Sequence, residues 1–452
     1  MNHHETAGGR GHRGRPDLAD AGISKTAGEY TDRFLVLLAP GAQEEGMATL
    51  RSRAGTEPAE RIRPDVTEST AEVLEQAGSV VFEDLGVAVV QAAPDQRRAV
   101  METARDEPAV LAVERERVLW ASQLTESRAE TATADYLRGY HDGVEELVQH
   151  ALERIDTAAV REPGTAGFDE SLVTWGLQAA GVPRSAFSGQ GVRVAVLDTG
   201  VDTGHPDLTA RLEGAASFVP GQAVQDGHGH GTHCVGTSCG PRTPGAAPRY
   251  GVACEAEIYA GKVLGDGGGG TDTQILAGMN WAFGQGCRVI SMSLGSPVGP
   301  GERPSRVYEQ IARRLMRAGT LVVAAAGNES ERPHVVEPVG HPANCPSVLA
   351  VGALDSHFAV ASFSNAGLNP DGGQIDIAAP GVDVLSSWPQ APGHRRLRGT
   401  SMATPHVAGA IALFAEAAPG ASAAELKSFL LAGARRLPLP AVDVGAGLLQ
   451  AP

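Results

Sequence analysis

The sequence predicts an α/β protein: a parallel sheet flanked by helices on both faces, preceded by a small α+β unit. Three observations carry this. From about residue 171 onward, apolar runs such as VRVAVLD, TLVVAAAGN and SVLAVGAL alternate with helical stretches, and near-continuous apolar strands mark a parallel sheet buried on both faces. Residues 32–120 read instead as strand, helix, strand, strand, helix, strand. Between them, residues 121–170 are rich in Ala, Thr and Glu and close with the turn-forming Glu-Pro-Gly-Thr-Ala-Gly of 162–167, which reads as a linker.

Taken in order, residues 1–31 are polar and glycine-rich and are expected to be disordered. They hold no apolar core of the length a secretory signal needs, and no run in the chain approaches membrane-spanning length, so a cytoplasmic location and no membrane partner are expected. The first strand is FLVLLAP (34–40). A helical region follows within 43–77, interrupted around Gly55 to Pro64. SVVFEDL (79–85) and GVAVVQA (86–92) are the middle strands, a helix opened by Pro94 and Asp95 runs to about Arg105, and AVLAVERERVLW (109–120) closes the unit. That βαββαβ order is ferredoxin-like, and taken alone it reads as a generic binding module. The linker carries one amphipathic helix between Asp135 and Ile155. The second domain, 171–452, adds EIYAGKVL, CRVISMSLG and IDIAAPG as further strands, with functional loops expected at their carboxyl ends.

Composition excludes some partners. Lys and Arg number 37 against 53 Asp and Glu, a net charge of -16, which disfavours nucleic acid. Five cysteines without a paired framework predict reduced thiols.

The chemistry is written in four places. Gly399 to Ala410 sets Ser401 among small residues at the start of a buried helix, where it is either a nucleophile or merely a cap. Strand VRVAVLD ends on Asp198, and His230 lies in Gly-His-Gly-His-Gly-Thr-His-Cys. A carboxylate orienting a histidine that takes a serine proton is what an unreactive hydroxyl needs to attack a carbonyl. Strand TLVVAAAG ends on Asn328, whose amide can donate to an oxyanion together with the Ser401 amide. Two rivals are weaker. His228, His230 and His233 are close enough to suggest zinc, but no carboxylate or thiolate stands at partner spacing. The glycine run at 265–271 suggests a phosphate cradle, yet it lacks the Lys-Ser/Thr ending of a P-loop.

With these four elements in view, the chain resembles the subtilisin-like serine proteases (subtilases, peptidase family S8). Asp-Thr-Gly-Val-Asp at 198–202, His-Gly-Thr-His at 230–233, Ala-Ala-Gly-Asn at 325–328 and Gly-Thr-Ser-Met-Ala-Thr-Pro-His-Val-Ala-Gly at 399–409 look like the family's motifs in the family's order. The resemblance implies Asp198, His230 and Ser401 as a catalytic triad and Asn328 as oxyanion donor. It implies a polypeptide substrate bound as an added strand between Gly268, Gly269 and Gly270 on one side and Ser293, Leu294 and Gly295 on the other. Ala325, Ala326, Gly327 and Gly340 then line the pocket for the side chain before the cut. Residues 32–120 resemble the family's inhibitor-type propeptide, acting as an intramolecular inhibitor, with self-cleavage expected within Leu119 to Ser127. No cofactor is required. Asp207 matches a calcium-ligand position, but the loop Thr237 to Gly251 lacks the turn that completes the site, so calcium is allowed there rather than expected. Cys234 matches a position where some relatives carry a thiol beneath the histidine. The implied activity is endopeptidase, made as a self-processing zymogen. Open alternatives are a narrow-specificity intracellular processing protease and a cleavage-incompetent peptide-binding protein.

Overall fold

A computed structural model describes residues 29–56, 59–63, 72–73, 76–122, 167–369, 371–390 and 393–452. The expected disorder at the N-terminus up to residue 28 and the linker helix expected between 135 and 155 lie outside the described residues.

The first unit runs β1 (Tyr30–Leu38), α1 (Gln43–Ala54), β2 (Glu60–Ile62), β3 (Ser79–Phe82), β4 (Val87–Gln91), α2 (Arg97–Asp106) and β5 (Val110–Ala121). Its sheet has the order β5-β1-β4-β3-β2. Gly55 ends α1 where the sequence marks an interruption: its φ of 64° is left-handed, and its amide returns to Arg51 O. The segment beyond is a short strand, β2, parallel to β3, and not a continued helix. Alternate residues divide the sheet's two faces. Phe34, Val36 and Leu38 pack on α1 and α2 with Met47, Leu50 and Val100. Leu35 and Leu37, with Phe82, Val87 and Val89, pack against the second unit.

The second unit opens with α3 (Trp175–Ala179) and β6 (Arg193–Asp198), β7 (Leu212–Ser217), α4 (His230–Cys239), β8 (Glu257–Lys262), β9 (Gly269–Thr271) and α5 (Asp272–Gly284). It continues with β10 (Val289–Met292), β11 (Leu294–Gly295), α6 (Arg306–Arg317), β12 (Leu321–Ala325), β13 (Leu349–Leu354), β14 (Ile377–Pro380), β15 (Val384–Ser387), β16 (His394–Leu397), α7 (Thr400–Ala417), α8 (Ala423–Gly433) and α9 (Ala441–Val444). The central sheet is parallel throughout, in the order β14-β13-β12-β10-β6-β8-β7. The edge strand β7 was not legible, because LEGAAS is neither a continuous apolar run nor β-branched. One face of the sheet buries Leu197, Ile290 and Val322 under α5 and α6, and the other buries Val196, Val289 and Val323 under α4 and α7.

Helix α7 passes through that core because Ala403, Ala408, Gly409 and Ala410 keep it thin. Pro405 lies a turn inside it and has no N–H to give to the Ser401 carbonyl. The Ser293 hydroxyl takes that acceptor instead at 2.8 Å, with the Cys234 thiol at 3.7 Å.

Candidate active site

A cleft forms where the glycine run meets the end of β10. β5 enters it as the middle strand of three: Leu119 and Trp120 pair antiparallel with Gly270 and Gly269 of β9, and Trp120 and Ala121 pair with Gly295 and Leu294 of β11. The Ala121 amide donates to Gly268 O at 2.9 Å and the Ser122 amide to Ser293 O at 3.2 Å. Side chains are not tolerated at Gly269 and Gly270. A Cβ on Gly269 would lie 2.8 Å from the Trp120 ring, and one on Gly270 only 2.3 Å from Val263 O. The glycines of 265–271 therefore form a strand edge rather than a phosphate cradle.

The strand delivers the Ser122 carbonyl oxygen to the predicted chemistry. Asn328 Nδ2 donates to it at 2.5 Å, and Ser401 Oγ lies 2.5 Å from the same oxygen and 3.0 Å from Ser293 O. Asn328 is oriented from its other end, where Oδ1 accepts from the Thr400 amide at 2.9 Å and its hydroxyl at 2.8 Å, so only the NH₂ group can face the cleft. The Ser401 amide lies in the first turn of α7, where no intrahelical acceptor exists for it. Ala325, Ala326 and Gly327 lead into Asn328, and the Gly340 amide donates to Ala326 O at 2.9 Å, which ties Gly340 to that segment.

Asp198 and His230 meet beneath this point. His230 Nδ1 is 2.7 Å from Asp198 Oδ1, and both side chains are buried. The start of α4 is built by Asp226. Its Oδ1 accepts the His228 and Gly229 amides and its Oδ2 the amide and hydroxyl of Thr232, while Gly229 turns at φ 99° to place His230 in the first helical position. His230 Nε2 has no hydrogen-bond partner among the described residues. The Ser401 hydroxyl is instead within reach of the Ser122 and Ser293 carbonyl oxygens.

Electrostatics separates the histidines. Burial opposes charge on His230, but the adjacent Asp198 carboxylate outweighs it and holds the imidazole well above the usual histidine range. His233 is pushed down to about 3 by burial and by His230, with its Nε2 within reach of Val384 O and Arg395 O. His228 is lowered by burial and by His230. With His230 paired to Asp198 and His233 facing carbonyls, the three do not assemble a zinc site. Cys234 Sγ lies 3.9 Å from His230 Nδ1, and burial raises its pKa, so it stays a neutral thiol. All five cysteines are free and buried.

Asp207 does not fit a calcium site here. Its Oδ2 accepts from the Tyr250 hydroxyl at 2.7 Å and faces His394 Nε2 at 2.9 Å, a setting of phenol and imidazole rather than the six to eight oxygens calcium takes.

Sequence reasoning missed the carboxylates that dock the first unit on the second. Glu116 is buried, and its Oε1 accepts from the Thr273 amide at 2.9 Å and from the Thr273 hydroxyl, at the start of α5. Glu114 accepts the Arg306 amide at 2.7 Å and the Ser305 hydroxyl at 2.5 Å, at the start of α6. The Arg117 amide donates to Asp272 Oδ2 at 2.7 Å. The alternation Glu114-Arg115-Glu116-Arg117 on a strand apolar on either side of it was the available signal, since two acidic side chains on one face seek helix N-termini.

Residues 189–448 match the model of the Subtilase family. Over 262 residues, 57% of this chain and 90% of the relative, the sequence is 43% identical to Subtilisin Savinase of Lederbergia lenta. It is 40% identical over 263 residues to Subtilisin DY of Bacillus licheniformis, spanning 58% of this chain and 90% of that protein. Against Subtilisin E of Bacillus subtilis (strain 168) it is 38% identical over 300 residues, 63% of this chain and 74% of that one.

Proposed function

The chain belongs to the subtilase family and is a serine-type endopeptidase, and from that premise we propose that it is a self-processing precursor which cuts itself between Ser122 and Gln123. In this reading His230 Nε2 takes the proton of Ser401 Oγ as the oxygen attacks the Ser122 carbonyl carbon. Negative charge passes to the carbonyl oxygen, held by Asn328 Nδ2 and the Ser401 amide. His230 then gives its proton to the Gln123 nitrogen, which leaves as a new amino terminus, while Ser122 stays esterified to Ser401. Water, deprotonated by His230, attacks the ester and frees the Ser122 carboxylate. Asp198 holds the imidazole in the tautomer this cycle needs and stabilises its charged form.

The observation that carries the reading is the Ser122 carbonyl oxygen, contacted at 2.5 Å by both Asn328 Nδ2 and Ser401 Oγ. After the cut, the strand pairings and the Glu114 and Glu116 contacts all lie on the N-terminal side of the broken bond. They are therefore retained, which favours a product that stays seated as inhibitor. Because β5 is gripped chiefly through its backbone, a broad substrate range is favoured over a single processing target. The test is the intact mass of the wild type beside Ser401→Ala. A wild-type break after Ser122 that is absent from the alanine variant supports the proposal. A folded wild type that stays whole, or a variant cut at the same bond, overturns it.

A further inference from the structure

Outside the cleft, His205, Asp207 and His394 form a cluster with no part in the reaction above. His205 and Asp207 lie in the turn after β6 and His394 opens β16, so two distant chain segments converge there. Each offers one ligand atom, and these atoms all lie within 4.8 Å of one another. His394 Nε2 is 2.9 Å from Asp207 Oδ2. His205 Nε2 donates to Gly393 O at 2.8 Å, which fixes its tautomer, and its Nδ1 accepts from the Asp207 amide at 3.2 Å, a contact that a bound metal would replace. An imidazole whose far N–H is spent on a backbone carbonyl is the arrangement by which metal-ligating histidines are aimed. The rings of His205 and His394 stand edge to face, 5.7 Å apart. A cavity of about 290 Å³, lined by these three residues and by Asp202, Trp388 and Gly393, opens beside them.

We propose that His205, Asp207 and His394 bind a divalent transition ion of the zinc class, with a fourth position open to the cavity. Two imidazoles and one carboxylate are a zinc donor set, and bonds of about 2.0–2.1 Å place tetrahedral ligand atoms about 3.3 Å apart. The present 2.9 Å contact needs to widen only slightly. On binding, the proton between His394 Nε2 and Asp207 leaves to solvent. Asp207 can keep the Tyr250 hydrogen bond, because a carboxylate has about four lone-pair sites. The ion would clasp the turn before β16 to the turn after β6, and β16 runs directly into the Ser401 helix. The site does not depend on self-cleavage, so it is tested in the uncut chain.

The experiment uses full-length Ser401→Ala, stripped with a chelator and titrated with cobalt(II) and then with zinc. The expected result is one equivalent of cobalt with the strong visible bands of a four-coordinate site, displaced by zinc, and a melting temperature raised by zinc. His394→Gln and His205→Gln should each weaken binding by at least about tenfold. Tyr250→Phe, which leaves all three ligands, should bind as well as the parent. Cys234→Ala should also bind normally, separating this cluster from Asp198, His230 and Cys234. Absence of uptake at micromolar metal, unchanged uptake in both histidine variants, or loss of uptake in Cys234→Ala would overturn the assignment. Two histidine variants are used so that poor folding of one leaves the other to be read.

Discussion

The two large sheets are stabilised in different ways. The parallel sheet of the second unit is covered on both faces by its own helices, so its apolar residues find partners within the same domain. The mixed sheet of the first unit covers one face with α1 and α2 and borrows α5 and α6 for the other, where Leu35, Leu37, Phe82, Val87 and Val89 join the neighbouring core. A sheet with one face lent to a neighbour is only conditionally stable. The second unit carries the chemistry and covers both faces of its sheet itself, whereas the first is shaped by what it docks on.

That contrast predicts variants which damage one sheet's role and spare the other's. The largest effect is expected from Asp198→Asn, which preserves shape but offers His230 the wrong tautomer and should lower kcat by about 10⁴. Melting of the docked first unit should not change, and kcat on a peptide beside a thermal scan checks both. Asn328→Ala should lower kcat by about 10²–10³ with little change in KM, a magnitude measured for such a donor in a subtilisin. Glu116→Ala should do the opposite. It strips the acceptor from the start of α5 and from the Thr31 hydroxyl, and a charged hydrogen bond worth about 1.5–3 kcal/mol corresponds to a roughly 10- to 150-fold weaker hold on the first unit. Activity released after processing, measured against protein dilution, would show it, while kcat of the freed enzyme should be unaltered.

The pH profile sharpens the same division. His230 must be neutral to act as base, and its pKa is raised above 6.5, so kcat/KM should fall as pH drops through that raised value and the acid limb should lie above about 6.5. A limb at or below that value would contradict the electrostatic reading. The smallest effect is expected at Arg98 and Glu102, an exposed pair on α2, where Arg98→Ala should leave melting and inhibition unchanged within error.

Most of the second unit was legible because its strands are buried on both faces and its reactive residues sit at strand and helix ends. VRVAVLD ends on Asp198 in the structure as in the sequence, and α4 begins at His230 beside Gly229. What escaped had no local signature. β7 is an edge strand without apolar pattern, and β2 is a three-residue strand inside the interruption expected around Gly55 to Pro64. His205, Tyr250 and His394 come together only through tertiary packing. Glu114 and Glu116 find their partners only when the fold brings the starts of α6 and α5 to them. The orientation of Ser401 was likewise unreadable, since a hydroxyl rotor answers to whatever occupies the cleft.

One consequence follows from the glycine edges that flank β5. When the cleft is empty, each rim is an unpaired ladder that asks of a visitor only that it lie straight for a few residues with both backbone edges free. Helices and interior strands of a folded protein cannot meet that demand, because their amides and carbonyls are already committed. The enzyme would then sample its targets by conformation before composition. The lifetime of a protein exposed to it would follow how often that protein opens, making the cleft a gauge of its neighbours' stability.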